Sequence, residues 1–528
     1  EEIEKNRIEL PEVLSATYNY GQYERFLFHG TRIVNGGKLQ FNGSYQSGFG
    51  NGPYDIMPEP GSHFEAFTTD CDPVTVIESG GEMVVGDQQG NKATVHFRAG
   101  SRLLIHPGGM LRIHNASKLV VEEGAILSYH PGARIILEGE DAILQIDGSL
   151  QLEADATLSV EKNTAPLSGF IKFRNMGTGN GMARIVVAGN NTKVDLKGAN
   201  RYNKLLEIEG ELVMPVSFKI ANGSVCYGPG SRIVAQKDVS ADNTIFKGPV
   251  SVNSDAVHIH SGAVAKFTNC LFSQFDRGIW LKETGTFPPT MKMEACQLRE
   301  CHVGVQVVKG ACDIKNSVFA HCLNSAIVIE QPSADIRISD AVFSGNSIGI
   351  DIKGMSNPLP NLFLMGNSFT NNDFGLRAYQ CRTVLSCNRF VSNHIAVSDA
   401  DGEINVSRTK VNAGSLYSST GGDNTLAYNT HGFKLSRTLF FLSEGFNNFI
   451  QSPGIPSMNF VSGDVLYNVS THALQPPFSQ LANDNYWDPA PAGSLMNGIY
   501  THYRVRVLNG GKYLNPGYLN GIMANAMS

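Results

Sequence analysis

The sequence predicts an all-β chain folded as a β-solenoid, and three observations carry the prediction. A motif with two short strands is written six times between Ala265 and Ala400. Short apolar runs are broken by Gly, Asn and Ser along the chain, which is typical of β-structure. Sustained helical periodicity is nearly absent. A repeat period in the low twenties with strand-like content indicates coils that stack on their neighbours.

A large apolar anchor marks each repeat, at intervals of 26, 21, 24, 26 and 21 residues. The anchors are Phe272, Leu298, Phe319, Phe343, Phe369 and Phe390. An apolar residue stands five positions before each anchor, and an apolar or small residue stands two positions earlier still. Both then face the same side of a strand, and we expect that side to face a shared core.

A second strand follows the anchor after a polar turn. Its first inward residue comes directly after a Gly or Ala in every repeat. The small residues are Gly278, Gly304, Ala326, Gly349, Gly375 and Ala396. We expect them where the backbone bends tightly at a corner of the coil.

Small polar residues and cysteines recur two positions before and three positions after the anchors. They are predicted to form interior ladders, in which an inward Asn bonds the backbone of the coils above and below. Cysteine suits such a rung because it is small and readily buried; a catalytic or metal-binding thiol is the alternative. The predicted rungs are Cys270, Cys296, Cys301, Cys322, Asn346, Asn367, Asn372, Asn388 and Asn393.

The residues from Ser101 to Val160 have a shorter repeat period, in which apolar segments recur every 6 to 9 positions. Three such strands make about one coil of the later period, so the whole is predicted to be one solenoid of about 14 or 15 coils. The predicted organisation is an N-terminal segment and cap at 1–73, the β-helix at 74–430, and C-terminal coils, cap and tail at 431–528. Irregular capping segments would cover both ends. The register between Glu161 and Gly262 stays open.

Charge and composition exclude several classes of protein. The net charge is −6 without a basic stripe, so no nucleic acid is expected as a partner. No run of 18 apolar residues exists, so no transmembrane helix is expected. Nine cysteines without a CxxC pair indicate neither a disulfide scaffold nor a zinc site. No cofactor is expected.

The segments MKMEACQLRECHVGVQV, IRISDAVFSGNSIGIDI and LFLMGNSFTNNDFGLRA resemble repeats of right-handed parallel β-helices. That family includes pectate lyases, other polysaccharide-processing enzymes and many surface proteins without a known activity. The resemblance spans about two thirds of the chain. It implies the fold, a right-handed parallel β-helix, and says little about function.

Two shorter segments carry further resemblances. The segment from Ile56 to Cys71 resembles an element of secreted Bacteroidota proteins that leave by the type IX secretion system. The segment from Asn483 to Pro489 resembles the element that closes bacterial β-helices, with Trp487 as a lid. Together they imply an extracellular or outer-surface location. Because the chain starts at Glu1 without Met or a signal peptide, we expect a mature or excised portion of a longer protein.

Outward positions of the second strand form two stripes that are candidates for ligand binding. One stripe is Trp280, Gln306, Val328, Asp351, Arg377 and Ser398; the other is Lys282, Val308, Glu330, Lys353, Tyr379 and Ala400. Trp280, Arg377 and Tyr379 are the candidate glycan contacts, since rings stack on sugar faces and charges bond hydroxyls or uronates. An ordinary solvated sheet face is the alternative.

An enzymatic alternative uses the same face. The alternative is a calcium-dependent polysaccharide lyase or another carbohydrate-active enzyme, and a lyase needs an acidic calcium cluster beside a basic residue. Glu330, Asp351, Lys353 and Arg377 supply these residue types, and calcium would be the cofactor in that case alone. A charge-balanced surface explains the same four residues without catalysis.

Two smaller patterns favour structural roles. His258 and His260 share a strand face but have no third metal ligand near them in sequence. Asp399, Asp401 and Gly402 resemble the start of a calcium loop whose third acid and closing Glu are missing. The predicted function is therefore an exported, non-enzymatic structural or adhesive module, part or cargo of a larger secreted assembly, that contacts surface or secretion-assembly proteins or extracellular glycans.

Overall fold

A computed structural model gives the fold and describes most of residues 74–406 and 421–441. Within these ranges the breaks are 89–91, 98–99, 140, 162–168, 175–183, 189–190, 250–253, 283–284, 286, 333 and 355–360. Outside them it describes the segments 7–9, 13–14, 17–20, 25–27, 32–34, 36–41, 55–56, 447–450, 459–466, 480–481, 486–487 and 505–506. Most of the predicted caps, including nearly all of Ile56 to Cys71, therefore lies outside the described residues.

The chain divides into two compact units, Glu1–His258 and Ile259–Ser528. The described residues of both units form strands, turns and bends, and none of them is helical. No helix that could cross a membrane is found in this described part of the chain.

The first unit holds the strands β1 to β28, the last of which ends one residue beyond it. The first ten are β1 Arg7–Glu9, β2 Val13–Leu14, β3 Thr17–Tyr20, β4 Arg25–Leu27, β5 Arg32–Ile33, β6 Lys38–Phe41, β7 Asp55–Ile56, β8 Val74–Ile77, β9 Glu82–Val85 and β10 Thr94–Phe97. The next ten are β11 Arg102–Ile105, β12 Met110–His114, β13 Lys118–Val121, β14 Ile126–Tyr129, β15 Arg134–Glu138, β16 Ile143–Ile146, β17 Ser149–Leu152, β18 Thr157–Leu158, β19 Val160–Glu161 and β20 Phe170–Arg174. The last eight are β21 Arg184–Val187, β22 Lys193–Lys197, β23 Lys204–Glu209, β24 Glu211–Met214, β25 Ser217–Tyr227, β26 Arg232–Ala235, β27 Val239–Lys247 and β28 Asp255–Ile259.

Parallel pairing between successive coils builds the first unit. Three sheets run through it, in the orders β2-β5-β8-β11-β14-β17-β21, β3-β6-β9-β12-β15-β19 and β7-β10-β13-β16-β20-β23. In the first of them Arg102 pairs with Val74 on one side and with Ile126 on the other. Leu103, Leu127 and Leu150 take equivalent inward positions in successive coils and are fully buried. The coil therefore has three sides around an aliphatic core, as the shorter repeat period predicts.

The open register after Glu161 has a structural cause. The 11-residue strand β25 pairs with β22 along its first half and with β23 along its second. The pairing with β23 shifts register between Lys204 and Leu206. One long strand thus takes over two sides of the coil, so the three-strand repeat stops here.

The second unit holds the strands β29 to β54. The first thirteen are β29 Val264–Thr268, β30 Leu271–Ser273, β31 Arg277–Lys282, β32 Thr290–Glu294, β33 Gln297–Arg299, β34 Val303–Val308, β35 Ala311–Lys315, β36 Val318–Ala320, β37 Ser325–Glu330, β38 Ile336–Ser339, β39 Val342–Ser344, β40 Ile348–Lys353 and β41 Asn361–Met365. The others are β42 Ser368–Thr370, β43 Phe374–Tyr379, β44 Arg382–Ser386, β45 Arg389–Val391, β46 Ile395–Ala400, β47 Glu403–Asn405, β48 Thr425–Ala427, β49 His431–Phe441, β50 Asn448–Ile450, β51 Asn459–Leu466, β52 Gln480–Leu481, β53 Tyr486–Trp487 and β54 Val505–Arg506.

From β29 to β46 each strand pairs in parallel with the strand three places later, so each of these coils contributes three strands. Beyond them the long strand β49 pairs with both β46 and β47. The anchors lie in register in the middle strands, where Phe319 pairs with Phe343 and Phe343 with Phe369. Their rings stack at centroid distances of 5.0 and 4.7 Å, and Phe369 stacks on Phe390 at 4.5 Å. All four rings are fully buried. The described strands make about 12 turns, fewer than the predicted 14 or 15.

Left-handed backbone marks the corners of these coils. The residue three positions before each anchor has a positive φ in all six repeats, and so has the residue two positions after it. Ala295 (φ 53°), Glu300 (φ 55°) and Cys387 (φ 55°) take this conformation although glycine takes it with less strain. The small residues before the second strand serve a different purpose: a Cβ on Gly304 would lie 2.5 Å from the Ala326 carbonyl oxygen.

The predicted fold class, an all-β right-handed parallel β-helix, is confirmed. The boundaries at 73 and 430 stay predictions.

Candidate functional site

The two outward stripes predicted in the second unit are real rows of side chains. Consecutive members are direct cross-strand partners, as for Trp280 with Gln306 and Asp351 with Arg377. Glu330 pairs with Lys353, and Lys353 pairs with Tyr379. All the members that the sequence nominated therefore lie on the neighbouring strands β31, β34, β37, β40, β43 and β46.

Asp351 and Arg377 form a bidentate ion pair in the middle of this face. Arg377 Nε donates to Asp351 Oδ1 at 2.9 Å, and Arg377 Nη2 donates to Asp351 Oδ2 at 2.6 Å. The Asp351 carboxylate is 5% exposed, whereas two fifths of the Arg377 side chain is exposed. Hydrogen bonding to Asp351 raises the pKa of Arg377 above its ordinary value. This arginine is therefore a fixed cation that covers a buried carboxylate.

The remaining candidates differ in how available they are. The Trp280 ring already lies under cations of its own chain, with Arg277 Cζ at 3.8 Å and Lys282 Nζ at 4.7 Å from its centroid. Tyr379 is 39% exposed and Lys353 is exposed, so both present their polar ends to solvent. The face therefore offers a tyrosine and lysines as contact groups.

The predicted asparagine rungs form two hydrogen-bonded ladders inside the second unit. Asn372 Oδ1 accepts from the Asn346 backbone N–H and from Asn346 Nδ2, both at 3.0 Å. Asn372 Nδ2 donates to the Phe343 carbonyl at 3.1 Å and to Asn393 Oδ1 at 2.9 Å. Asn367 and Asn388 repeat this pattern in the second ladder. Each side chain thus bonds the coils on both sides of it.

The cysteine rungs are buried with the asparagines. Cys270, Cys296, Cys301 and Cys322 are at most 1% exposed. The Cys322 backbone N–H donates to Asn346 Oδ1 at 2.9 Å, so cysteines and asparagines share a ladder. Burial raises the pKa of the Cys301 thiol to about 11 and raises that of Cys322 further. A thiol without appreciable thiolate is a poor nucleophile and metal ligand at neutral pH.

The two smaller patterns also serve the interior. His258 Nε2 lies 2.7 Å from Asp255 Oδ2, and both side chains are nearly fully buried. Asp399 is buried, and its Oδ2 accepts from Thr438 Oγ1 at 2.6 Å and from the Gly402 N–H at 3.2 Å. Among the described residues no group of three or more His, Cys, Asp or Glu side chains is placed to hold a metal ion.

A cleft in the first unit was not predicted from the sequence. It has a volume of about 300 Å³ and lies over the outward side of β10, β13, β16 and β20. It is lined by His96, Lys118, Val120, Glu122, Glu123, Gln145, Asp147 and Arg174. Register places His96 beside Val120 and Val120 beside Gln145, so one outward row runs along its floor.

The cleft residues differ in how they are paired. His96 Nδ1 lies 2.8 Å from Glu122 Oε1. Gln145 Nε2 donates to Asp147 Oδ1 at 2.8 Å and to Asp147 Oδ2 at 2.7 Å. Burial lowers the pKa of Lys118 and raises that of Asp147. Glu122 and Asp147 each follow an apolar strand and lie 25 residues apart, about one coil. A search of the sequence for acidic residues with this placement and spacing would have found the pair.

Comparison with known proteins gives one family. The model of a family described as NosD, periplasmic copper-binding protein, matches residues 217–437, which is less than half of the chain. No curated protein matches the chain. Among solved structures, the complex of alginate lyase AlyF-OU02 with G6 is similar at 10% identity and a TM-score of 0.20, covering 76% of this chain and 83% of that one. A TM-score this low carries no argument about function.

Proposed function

We propose that this chain is an exported β-helix protein that works outside the cytoplasm as a non-enzymatic structural or adhesive module. Its glycan-contacting face is the pair of stripes from Trp280 to Ala400 in the second unit. Its partners are extracellular glycans or the proteins of a surface or secretion assembly. The match to a family described as periplasmic supports export. Placement on the outer cell surface and export by the type IX route in a Bacteroidota organism belong to this hypothesis and depend on the segment Ile56 to Cys71.

The observation that carries the proposal is the bidentate Asp351–Arg377 pair. It uses both oxygens of the central carboxylate and two nitrogens of the guanidinium within the chain itself. The exposed groups of the face are Lys282, Lys353 and Tyr379, together with the exposed two fifths of the Arg377 side chain. A flat row of exposed donors and a ring suits binding of an extended chain more than it suits bond cleavage.

The lyase alternative is weaker for a physical reason. A lyase base must be unprotonated when it removes a proton from the substrate. The pKa of Arg377 is raised by its pairing with Asp351, so this guanidinium stays protonated. Asp351 is covered by the same arginine and would need to exchange that partner before it could bind calcium. Glu330 and Lys353 alone do not form the acid cluster that the alternative requires.

The name of the matched family raises copper binding as a question for this chain. Copper sites in proteins use thiolate, thioether and imidazole ligands. The thiols of Cys301, Cys312, Cys322 and Cys381 lie in the matched segment, and burial raises the pKa of each. These thiols are poor copper ligands at neutral pH, and among the described residues no group of three or more His, Cys, Asp or Glu side chains is placed to hold a metal ion.

Binding and cleavage can be tested on the same samples. Affinity electrophoresis through gels that contain neutral or acidic polysaccharides measures binding, and the ultraviolet absorbance of unsaturated uronate ends measures lyase action with calcium or with chelator. Variants Tyr379→Ala and Lys353→Ala probe the stripe. Tyr202→Ala is the control, because Tyr202 is an exposed tyrosine in the first unit, 79% exposed against 39% for Tyr379.

We expect at least one polysaccharide to retard the wild-type protein and the Tyr202→Ala variant alike. Tyr379→Ala should weaken that retardation about fivefold to tenfold, the equivalent of losing one ring contact. Calcium-dependent depolymerisation of any polyuronate would overturn the proposal. Equal retardation of all variants would remove the stripe as the binding face.

A further inference from the structure

The cleft in the first unit contains a buried acceptor that its own chain does not satisfy. Gln145 is 2% exposed, and its Oε1 atom has no hydrogen-bond partner among the described residues. Its orientation is fixed, because Nε2 donates to both oxygens of Asp147, and a carboxylate can only accept. A buried amide oxygen without a donor is destabilising, because its hydrogen bond to water has been lost without replacement.

The cleft also contains a cation without a bonded acceptor. Lys118 is half buried, and within the described residues its ammonium makes no hydrogen bond and no ion pair. Burial lowers its pKa, the neighbouring Arg174 and Lys172 act in the same direction, and Asp147 opposes them. A ligand that fills this cleft must therefore donate a hydrogen bond to Gln145 and accept one from Lys118.

The charge of the lining selects the ligand class. Lys118 and Arg174 are cationic, whereas Glu122, Glu123 and Asp147 are anionic. Apart from His96, the lining carries two positive and three negative groups, so it does not favour an anion. Hydroxyl groups both donate and accept, and they form their strongest hydrogen bonds with charged groups. The volume of about 300 Å³ lies at the lower end of the range for small-molecule sites.

We propose that this cleft binds one uncharged sugar unit, with one hydroxyl donating to Gln145 Oε1 and a second oxygen accepting from Lys118. Val120 is the apolar part of the floor on which the C–H face of the sugar rests. Glu122 and Asp147 accept from further hydroxyls at the rim. The site lies on the first unit and uses no residue of the Trp280–Ala400 stripes, so it stands apart from the function proposed above.

Saturation-transfer NMR on the full chain tests this site with glucose, galactose, mannose and their disaccharides as probes, and with glucuronate and galacturonate as charged counterparts. The variants are Gln145→Leu, which removes the acceptor, and Lys118→Met, which removes the cation but keeps the stem. Gln151→Leu is the matched control, because Gln151 also donates to an acid two positions later, Glu153, but lies on another sheet. Thermal unfolding shows whether each variant is folded.

We expect at least one neutral sugar to give saturation transfer, with the matching uronate several times weaker. Gln145→Leu and Lys118→Met should each lower the affinity about fivefold to tenfold, while Gln151→Leu and Tyr379→Ala leave it unchanged. Absence of transfer for every neutral sugar would overturn the proposal. Retained affinity in a folded Lys118→Met variant would do so too, as would tighter binding of the uronates. Loss of polysaccharide retardation with intact sugar transfer would refute the stripe and leave the cleft standing.

Discussion

Truncation of Asn372 to alanine should destabilise the second unit far more than a surface truncation. Asn372 is 3% exposed and makes four side-chain hydrogen bonds, two to Asn346, one to Phe343 and one to Asn393. Without the side chain, the buried Asn346 backbone N–H loses its acceptor and the Phe343 carbonyl loses a donor. The Asn393 oxygen keeps the Asn372 backbone N–H as a donor at 3.0 Å.

The magnitude follows from these partners. One orphaned buried N–H costs about 1–3 kcal/mol, and loss of the bond to the Phe343 carbonyl adds about 0.5–1.5 kcal/mol. We therefore expect a loss of roughly 2–4 kcal/mol in the free energy of unfolding. Urea unfolding followed by circular dichroism measures it, and the midpoint is compared directly because repeat proteins need not unfold in two states.

The control is Asn361→Ala, which removes an exposed hydrogen bond to Asp335 at 2.8 Å and should cost less than about 0.5 kcal/mol. A second variant, Asn372→Asp, keeps the acceptor for Asn346 but replaces the donor by an oxygen. It should be less destabilised at pH 4 than at pH 7, since a protonated carboxyl can donate to Phe343 or Asn393. Equal urea midpoints for Asn372→Ala and Asn361→Ala would refute the ladder as a source of stability.

Three further predictions use the same measurements. Gly304→Ala should lower stability by about 1–3 kcal/mol, because its Cβ would lie 2.5 Å from the Ala326 oxygen and 3.3 Å from the Phe319 ring, whereas Gly285→Ala has room and should be nearly neutral. Burial raises the pKa of Asp399 from 3.8 to about 7. The contribution of Asp399 to stability is therefore full below about pH 4, falls as the pH rises and is lost above about pH 7. Asp399→Asn should remove this fall, and an unchanged pH profile of the thermal midpoint in the variant would contradict the prediction. Arg377→Ala strands the buried Asp351 carboxylate and should destabilise by roughly 1–3 kcal/mol, part of which the double variant with Asp351→Asn regains.

The repeat between Ala265 and Ala400 can be predicted from the sequence, because each interior residue contacts the equivalent residue of the next coil. Phe343 meets Phe369 in the next coil, and the ring contact rewards the same residue in both. The ladder asparagines obey the same rule through hydrogen bonds. Interior positions therefore repeat in the sequence at the period of the coil, and the pattern identifies them without a structure.

Other features could not be predicted from the same pattern. The long strand β25 replaces two shorter strands, so the regular spacing of turn residues that marks the corners of a coil is interrupted there. The left-handed corners at Ala295, Glu300 and Cys387 carry residues that do not favour this conformation. Hydrogen bonds to the next coil hold each of them, as the Ala295 N–H bonds the Lys315 oxygen at 3.1 Å, so packing overrides local preference.

Gln145 and Asn372 show what separates a structural amide from one that faces a ligand in a solenoid. Both are buried, and both donate to a neighbouring acceptor through the amide nitrogen. The Asn372 oxygen accepts two bonds from Asn346, whereas the Gln145 oxygen accepts none within the described residues, and Gln145 lines a cleft. The oxygen of an inward ladder amide accepts hydrogen bonds from the preceding coil, as the Asn372 oxygen does from Asn346. An outward amide has no coil in front of it, so no neighbouring coil supplies the donor to its oxygen. This asymmetry places ligand recognition at outward positions, which the interior repeat leaves free to differ from coil to coil.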